Sequence, residues 1–444
     1  MPDDGFVQFN KHIIEYMRGV YVLLLISLLG YTGRVSGQES VTITQCYEWA
    51  RANYPQIHQM GLIDQTERYS LSNVGKAWLP QLSVSGKASY QSDVTKLPLD
   101  GDKISSLLPG FEIPSLSKDQ YQVVAQVDQT IWDGGSTRSA RALTRAEAIA
   151  NREQLESELY ALNDRVNQIY FGCLLQDELI RQNALLQKEL QVNIERIEAM
   201  MENGVANQSD LESMEVELLN ARQNEIELRA SRTVYRQMLA TFINKPLTDQ
   251  VVLKTPESPE RSLSTQINRP ELRALDAKSE WIETQNKQVT AGLMPRIGAF
   301  VQGGCGRPGL NMLEDSFEPY YVAGVRLSWN LGKLYTLKND RRKIEVSRRQ
   351  IDVQRETFLF NTRLQLLRQN TEIKKMTDLM RADDDIIRLR TSIKQAAEVK
   401  LENGVISVTD LIREINAEDM ARQTAAAHRV QRLMTIYNYM YTTN

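Results

Sequence analysis

The residues Glu202-Asn203-Gly204-Val205 recur 200 positions later as Glu402-Asn403-Gly404-Val405. The match continues, since nine of the 22 residues in 202–223 are identical to their counterparts in 402–423. Each copy stands between long segments that contain no proline. A repeat at fixed spacing predicts a duplicated architecture, because a single helix-turn-helix needs this chemistry only once.

Each copy carries residues that end one helix and begin the next. Gly204 suits the left-handed position that closes a helix. Asn207 suits the N-cap of a following helix, and Asp210 stands three residues later, where a capping box places its acidic residue. The second copy offers residues for the same three roles at Gly404, Ser407 and Asp410. We therefore expect two helical hairpins, each of which reverses within a few residues.

The composition excludes several classes of protein. The chain has 444 residues, of which 53 are basic and 56 acidic, and this balance argues against nucleic acid as the main partner. The cysteines and histidines are too few and too scattered for a disulfide framework or a metal site. They are Cys46, Cys173, Cys305, His12, His58 and His428. No nucleophile motif or phosphate-binding loop stands in a strand-helix context, so we expect neither an enzyme nor a cofactor.

The first 37 residues have the character of a secretory signal. Residues 20–29 form an apolar run behind Arg18, which is too short to cross a bilayer comfortably but suits a signal peptide. Val35 and Gly37 are small enough for a cleavage site that leaves Gln38 first. The acidic residues within 1–16 are unusual for such a signal, so Met17 is the favoured start and a longer acidic leader is the alternative.

The period of the pattern changes after Pro80 and again after Pro295. Apolar and polar residues alternate over 82–90 and 121–131, and over their second-half counterparts 297–301 and 321–329. A period of two predicts strands with one apolar and one polar face. The first pair of strands has a long connection over 93–119, and residues 303–306 are expected to begin a shorter one.

Both halves follow one order of elements. The helix that starts at Asn53-Tyr54-Pro55, with Asn53 as its expected cap and Pro55 in its first turn, has a counterpart 215 residues later at Asn268-Arg269-Pro270. The order is helix, strand, strand, long helix, tip and helix. It divides the chain into a first repeat over 38–265, with a linker at 248–265, and a second repeat over 266–444.

The longest helix of the first repeat is expected to be continuous. Residues 136–201 contain no proline and would extend roughly 100 Å as one helix. Apolar residues recur along its second half at spacings of three, four and seven, which predicts a seam of coiled-coil type. The seam consists of Leu179, Leu186, Leu190, Ile194, Ile197 and Met201.

Four amphipathic strands of about ten residues match the length of transmembrane β-strands. Four strands cannot close a barrel, and open sheet edges are not tolerated in lipid. Several chains are therefore expected to share one barrel, and three chains would give twelve strands, an even number within the observed range. The predicted fold class is mainly α with a small β part, in which a trimeric 12-stranded β-barrel is continued by a long α-helical barrel.

The combined motifs resemble the TolC family of outer-membrane efflux proteins. They are the N-x-P helix start, the [LM]-P-x-[LI] entry to the first strand of each half, and the E-N-G-V…D-L tips. The resemblance implies a homotrimeric channel in the outer membrane of a Gram-negative bacterium, with a large periplasmic part. It implies a passive exit duct of a tripartite efflux or type I secretion system. The implied partners are a periplasmic adaptor protein, an inner-membrane transporter and outer-membrane lipid; the substrate stays open among drugs, metal ions, siderophores and proteins.

The resemblance also implies a gate and an adaptor contact. The family closes its periplasmic end with polar contacts near the second tip, including carboxylates, and Asp410 matches one such position. Arg413 stands where the family often has a second carboxylate, so a ring of carboxylates is only partly present. Asp210 is the counterpart in the first tip, and capping alone is the alternative role for both aspartates. The tips that meet the adaptor in the family correspond to Gly204, Val205, Gly404 and Val405.

Two further interpretations stay open at this point. Trp78, Trp132 and Trp329 flank strands, where they would serve either as interfacial aromatics or in a core. Residues 383–385 are three aspartates, for which a solvated helix face is favoured over a cation site. A structural or adhesive coiled-coil protein of the cell envelope is the alternative function. It would account for the helices but not for four amphipathic strands at duplicated positions.

Overall fold

A computed structural model describes residues 40–95, 116–258, 266–312 and 314–444. The predicted signal region over 1–37, with Met17, lies outside these residues, as does most of the predicted loop over 93–119. The helices are α1 Ile43–Asn53, α2 Gln59–Gly75, α3 Ser136–Tyr160, α4 Leu162–Glu202, α5 Gln208–Ile243, α6 Pro270–Ala291, α7 Lys333–Glu402 and α8 Val408–Thr443. The strands are β1 Ser40–Val41, β2 Gln81–Tyr90, β3 Asp119–Trp132, β4 Val252–Leu253, β5 Arg296–Arg307 and β6 Glu318–Ser328. The predicted mainly helical class with a small β part is confirmed.

The described residues fall into two compact units. The first consists of residues 40–49 and 169–257, and the second contains the other described residues. The first unit holds the hairpin of α4 and α5. The second unit holds the four-stranded sheet and the hairpin of α7 and α8.

The first unit contains a short strand, β4, within the residues that the sequence predicted as a linker. Strand β4 pairs in parallel with β1, and Val41 stands opposite Leu253. The hydroxyl of buried Tyr170 lies 2.9 Å from the carbonyl oxygen of Val41 and 2.7 Å from that of Lys254. Buried Arg236 donates to two carbonyl oxygens between α5 and β4. The linker prediction is therefore wrong for residues 248–254, which the Tyr170 and Arg236 side chains fix in place.

The sheet of the second unit has the order β2-β3-β5-β6, and every neighbouring pair is antiparallel. The helices next to these strands are arranged in the same order as the strands. Helix α2 packs against α3, α3 against α6, and α6 against α7. Ile282 of α6 forms a small apolar core with Ile344 and Ile351 of α7. Helix α8 then packs along α7.

The end of α8 is attached to the start of α6. Arg269, which is 8% exposed, lies over the ring of Tyr441 at 4.5 Å and forms an ion pair with Glu271. The Tyr441 ring stacks on Tyr160 with their centroids 4.9 Å apart. The backbone N–H of Asn268 donates to the carbonyl oxygen of Thr443 at 2.7 Å. A buried cation between aromatic rings thus secures the last helix of the chain.

Three local expectations differ from the structure. The helix predicted over 136–201 is interrupted at Ala161, whereas its counterpart α7 is continuous for 70 residues. Tyr54, not Asn53, precedes the Pro55–His58 turn as its N-cap, and it makes no side-chain capping bond. Residues 303–306 continue β5 instead of beginning a loop, because their backbone pairs with both β3 and β6. Three of these four residues are glycines, so this part of the strand has no alternation of apolar and polar side chains from which it could be predicted.

The described helices were also compared with the length and hydropathy that a membrane-spanning helix requires, and none of them meets both.

Candidate functional site

One face of the four-stranded sheet is mainly apolar. Residues paired directly across an antiparallel sheet lie on the same face. Val84 pairs with Ala125, which pairs with Gly303, which in turn pairs with Tyr321. The apolar residues and glycines on this face are Leu82, Val84, Gly86, Ala88, Tyr90, Tyr121, Val123, Ala125, Val127, Ile297, Ala299, Val301, Gly303, Cys305, Tyr321, Ala323, Val325 and Leu327. The same register adds three polar residues, namely Gln129 towards one end and Asp119 and Arg307 at the other. Its larger members are widely exposed, for example Leu82 at 71% and Val325 at 70%, so this face has no partner within the described chain.

The opposite face of the sheet is mainly polar. Gln126 donates to the carboxylate of Asp128 at 2.7 Å, and the guanidinium of Arg326 lies 4.8 Å from the centre of the Phe300 ring. The other polar residues on this face are Gln81, Ser83, Ser85, Lys87, Ser89, Gln120, Gln122, Thr130, Arg296, Gln302, Glu318 and Ser328. The sheet therefore has one mainly apolar face and one mainly polar face, as the alternation in the sequence predicted.

Aromatic side chains stand at both ends of the apolar face. At the helix end, Trp78, Trp132 and Trp329 are 40%, 41% and 59% exposed, so the alternative of core packing is wrong for all three. At the other end, Tyr121 stacks on Phe317, with their centroids 6.4 Å apart. Eleven residues separate Tyr121 from Trp132, which is about 36 Å of strand and about 28 Å along the normal for a strand tilted by about 40°. This height matches the apolar band of a transmembrane strand, about 25 Å.

The two outer strands of the sheet have open edges. Among the described residues, β2 pairs only with β3, and β6 pairs only with β5. About half of the ten residues of β2 and of the eleven of β6 thus point their backbone N–H and C=O groups away from the sheet, without a partner strand. Such edges are templates for pairing with another chain.

The two helical tips have nearly identical backbones. Gly204 and Gly404 have φ angles of +72° and +67°. The N–H of Val205 donates to the carbonyl of Met200, six residues back by inclusive count, and the N–H of Val405 does the same to Lys400. The N–H of each glycine also donates to the carbonyl three residues before it, Met201 or Leu401, and this second hydrogen bond completes a Schellman motif. A Cβ atom at either glycine would touch nothing within 4 Å, so only the backbone angle requires glycine there.

Both predicted capping boxes are present. Asn207 accepts from the N–H of Asp210, whose carboxylate accepts from the N–H of Asn207, each at 3.1 Å. In the second tip, the Asp410 carboxylate accepts from both the N–H and the hydroxyl of Ser407, at 3.2 and 2.8 Å. These hydrogen bonds, and then nearby Arg413, hold the pKa of Asp410 below its usual value. The carboxylate of Asp410 is thus ionised at neutral pH and caps the start of α8.

The second tip carries a cation that the first lacks. Arg413 lies 3.5 Å from Asp410 and 3.3 Å from Glu414, whereas Ser213 stands at the equivalent position of the first tip. Val205 and Val405 project from their tips with 58% and 68% exposure. The structure thus places Arg413 beside Asp410, as their spacing predicted, and leaves both tip valines accessible.

The two hairpins have the same register but different interfaces. Arg232 contacts Asp177 in the first hairpin, and Arg432 contacts Thr377, 200 positions later, in the second. The first hairpin buries four apolar residues near its tip, namely Leu190, Ile194, Met214 and Leu218. Their counterparts in the second hairpin are Arg390, Lys394, Glu414 and Glu418. At these four positions the second hairpin has ion pairs where the first has apolar contacts, while Leu401, Leu411 and Ile415 keep an apolar core nearer the second tip.

These ion pairs centre on Glu418, which is 2% exposed. Its carboxylate lies 2.6 Å from the Nζ atom of Lys394 and 2.5 Å from the guanidinium of Arg422, and it accepts from the hydroxyl of Thr391. Burial acts to raise the pKa of Glu418, but the hydrogen bonds from Lys394, Thr391 and Arg422 outweigh it and the pKa is lowered. We call Arg390, Lys394, Glu414, Glu418 and Arg422 the charged cluster. It could have been found in the sequence by comparing the two repeats position by position.

A second buried polar contact lies further from the tip. Asp383 is 7% exposed, and its carboxylate lies 2.7 Å from Nδ1 of His428. The expectation of a solvated face is therefore wrong for Asp383, although Asp384 and Asp385 are exposed. No group of three His, Cys, Asp or Glu residues in the described ranges is arranged to hold a metal ion.

Comparison with known proteins agrees with this geometry. Residues 46–245 match the family model of the outer membrane efflux protein. No curated protein sequence matches the chain. The solved structure of CusC, a protein described as forming a transmembrane channel, is similar at a TM-score of 0.64 and 14% identity, over 90% of this chain and 92% of that chain.

Two further outer membrane proteins have the same fold. The outer membrane protein VceC of Vibrio cholerae gives a TM-score of 0.60 at 12% identity, over 90% of this chain and 95% of that chain. The outer membrane channel CmeC of Campylobacter jejuni gives 0.62 at 11%, over 90% and 85%. The chain has the fold of these proteins, and residues 46–245 match the outer membrane efflux protein model. The resemblance to the TolC family is confirmed for the fold.

The second tip offers a direct test of its glycine. Gly404→Ala should destabilise the tip by about 1 kcal/mol, because a residue with a Cβ atom is penalised at a φ of +67°. Gly404→Asn should cost less, because Asn tolerates the left-handed region. Amide hydrogen exchange over residues 399–405 would report the opening of the tip.

Val405→Ala is the control for the Gly404 variants, since it changes an exposed neighbour without a positive φ angle. Exchange rates in Gly404→Ala that equal those in wild type and in the control would show that the left-handed glycine does not hold the tip.

Proposed function

We propose that this chain forms the passive exit duct of a tripartite efflux or type I secretion system in the outer membrane of a Gram-negative bacterium. The observation that carries the proposal is the four-stranded sheet with an apolar face, aromatic residues at both ends of that face, and two open edges. A soluble protein has no use for an exposed apolar face of this size. Its height and its aromatic borders are those of a strand that spans a membrane.

The open edges favour assembly into a homotrimer. In lipid, unpaired backbone groups on β2 and β6 would each cost several kcal/mol. Pairing β6 of one protomer with β2 of the next removes both edges. Three protomers give twelve strands, and the polar face with Asp128 and Arg326 then lines the interior of the barrel. In this proposal, export through the duct draws its energy from an inner-membrane transporter.

The exposed tips are the proposed contact for a periplasmic adaptor protein. Each tip presents a rigid turn, Gly204-Val205 or Gly404-Val405, whose valine is more than half exposed. The Schellman motif and capping box fix the turn on both sides. A preformed apolar projection of this kind loses little conformational entropy on binding.

We assign the gate to the second hairpin. Separating the first hairpin near its tip would expose Leu190, Ile194, Met214 and Leu218 to water. Separating the second would hydrate the charged cluster, whose ions regain in water most of what they lose in mutual attraction. It would also expose Leu401, Leu411 and Ile415, which are buried nearer the tip. At the level of the charged cluster, the helices of the second hairpin thus part at lower cost than those of the first hairpin at the equivalent level. Asp410 and Arg413 are the gate residues at its tip, and Asp210 is the corresponding cap of the hairpin that stays closed.

The alternative of an adhesive or structural coiled-coil protein has less support. It would explain the long helices and their seams. It gives no reason for an apolar sheet face between two sets of aromatic residues, nor for the polar residues behind it.

Channel formation and oligomeric state test the proposal together. Purified full-length protein in mild detergent should have the mass of three protomers plus detergent, and it should form ion-conducting channels in planar bilayers. A monomer that remains folded in the membrane, or a trimer that never conducts, would contradict the proposal and favour the structural alternative.

Cys305 reports which face of the sheet meets lipid. Burial raises the pKa of the Cys46 and Cys173 thiols to about 12, and the nearby Cys173 thiol adds to the effect on Cys46. Both thiols are therefore unreactive at neutral pH. Cys305 is exposed on the apolar face. In vesicles, an apolar maleimide should label it and a charged methanethiosulfonate should not.

Gln302→Cys combined with Cys305→Ala is the matched variant, because residue 302 lies on the polar face of the same strand. It should react with the charged reagent. Equal rates of the charged reagent at both positions would show that the apolar face does not meet lipid.

Copying the first hairpin into the second should hold the gate closed. Lys394→Ile with Glu418→Leu replaces a buried pair by apolar residues like Ile194 and Leu218, which is expected to be neutral or stabilising by about 1–4 kcal/mol. The probability of finding the channel open in single-channel recordings should fall by about tenfold or more. Thermal unfolding should occur at the same or a higher temperature.

The control for this variant removes an exposed pair from the same helix. Asp385→Asn with Arg388→Gln has the same net charge change, and the side chains are 72% and 70% exposed. It should open like wild type. If Lys394→Ile/Glu418→Leu opens as often as this control, the charged cluster is not part of the gate.

A further inference from the structure

A groove of about 1100 Å³ opens in the second unit where the sheet meets the helices. Its apolar wall includes Trp78, Trp132 and Met294. Its floor and rim carry four cations, namely Arg138, Arg141, Arg145 and Lys287. We propose that this groove binds the phosphate headgroup of an anionic phospholipid; the proposal rests on the function assigned above.

The cations of the groove are free to bind an anion. Arg138, Arg141 and Arg145 stand on one face of α3, at spacings of three and four residues. All three and Lys287 are exposed. Within the described part of the chain, none of the four lies in an ion pair, whereas Arg152, one further turn along α3, binds Asp64 and Glu67. A cluster of like charges without counter-ions attracts an anion from outside.

Acidic residues near the groove do not neutralise it. Asp133 is the only carboxylate in its lining. The two oxygens of Asp133 accept from the N–H groups of Gly135 and Thr137, at 2.9 and 2.6 Å, and so serve the start of α3. The three segments around the groove, residues 76–81, 134–146 and 286–296, contain basic residues but no acidic one.

The position of the groove selects a lipid over a soluble anion. Trp132 pairs with Ile297 and therefore lies on the apolar face of the sheet. The groove, which Trp132 also lines, continues that face on its helix side. Arginine forks bind phosphate oxygens in pairs, and tryptophan prefers the level of the headgroups. A phospholipid can thus place its phosphate on the arginines while its acyl chains follow Leu82 and the neighbouring apolar side chains.

The charge of the headgroup decides between lipid types. Phosphatidylglycerol carries one net negative charge, so its phosphate can neutralise an unpaired arginine. A zwitterionic headgroup would bring its own cation into a groove that is already lined by four cationic side chains, and these like charges would repel one another. We therefore expect retention of phosphatidylglycerol over phosphatidylcholine, and weaker retention at high salt.

The experiment measures which lipids stay with the purified trimer. Wild-type protein is reconstituted in phosphatidylcholine vesicles with or without phosphatidylglycerol, extracted in mild detergent, and analysed by native mass spectrometry. Arg138→Gln, Arg141→Gln and Arg145→Gln are combined in one variant. This variant should retain about tenfold less phosphatidylglycerol than wild type, with phosphatidylcholine unchanged.

A matched control removes three exposed cations elsewhere on the chain. Arg363→Gln, Arg368→Gln and Lys374→Gln lie on α7, about 45 Å or more along that helix from its start at Lys333. They change the net charge equally and should retain phosphatidylglycerol like wild type. Equal losses in both variants, or equal retention of the two lipids by wild type, would overturn the proposal.

Two further arms separate the possible failures. Inorganic phosphate added at millimolar concentration should leave the bound phosphatidylglycerol in place; its displacement would show a site for a soluble anion and overturn the lipid assignment. Conductance is recorded for all three proteins in phosphatidylcholine alone. Channels that conduct while lipid retention fails to depend on the arginines would refute the lipid site and leave the proposed duct intact.

Discussion

The unpaired backbone at the two edges of the sheet is the constraint on which the rest of the architecture depends. Strands β2 and β6 present hydrogen-bonding groups that water can satisfy but lipid cannot. The apolar face between these edges, however, is unfavourable in water. In the proposed duct, the two requirements are reconciled when neighbouring chains supply the missing partner strands. Under that proposal the single protomer is a fraction of the functional unit, and lipid and neighbouring chains cover much of its exposed apolar surface.

The duplication shows how one supersecondary unit acquires two different interfaces. Both hairpins keep the Schellman motif, the capping box and the register between their helices, since these set the backbone path. They differ in what fills the interface near the tip. Leu190, Ile194, Met214 and Leu218 gain stability from leaving water. Arg390, Lys394, Glu414 and Glu418 gain little net stability from their ion pairs, because burial removes them from water.

Prediction from sequence succeeded where the signal was local. The glycine, N-cap and acidic residue of each tip predicted turns that the structure shows hydrogen bond by hydrogen bond. Alternation along 82–90 and 121–131 predicted both the strands and their faces. It failed at residues 303–306, where glycines and a cysteine carry no alternation, and at residues 248–254, where contacts with Tyr170 and Arg236 order a segment that looks like a linker.

The sequence by itself determined the order of elements, the two tips and the apolar and polar faces of the strands, because these depend on residues a few positions apart. Only the tertiary structure decided which distant side chains meet. It joined Glu418 to Lys394 and Asp383 to His428, exposed the three tryptophans, and gathered the cations of α3 and α6 around one groove. Such contacts depend on the register between helices and on the order of strands in the sheet. Those are set by the packing of the whole unit, which no local pattern encodes.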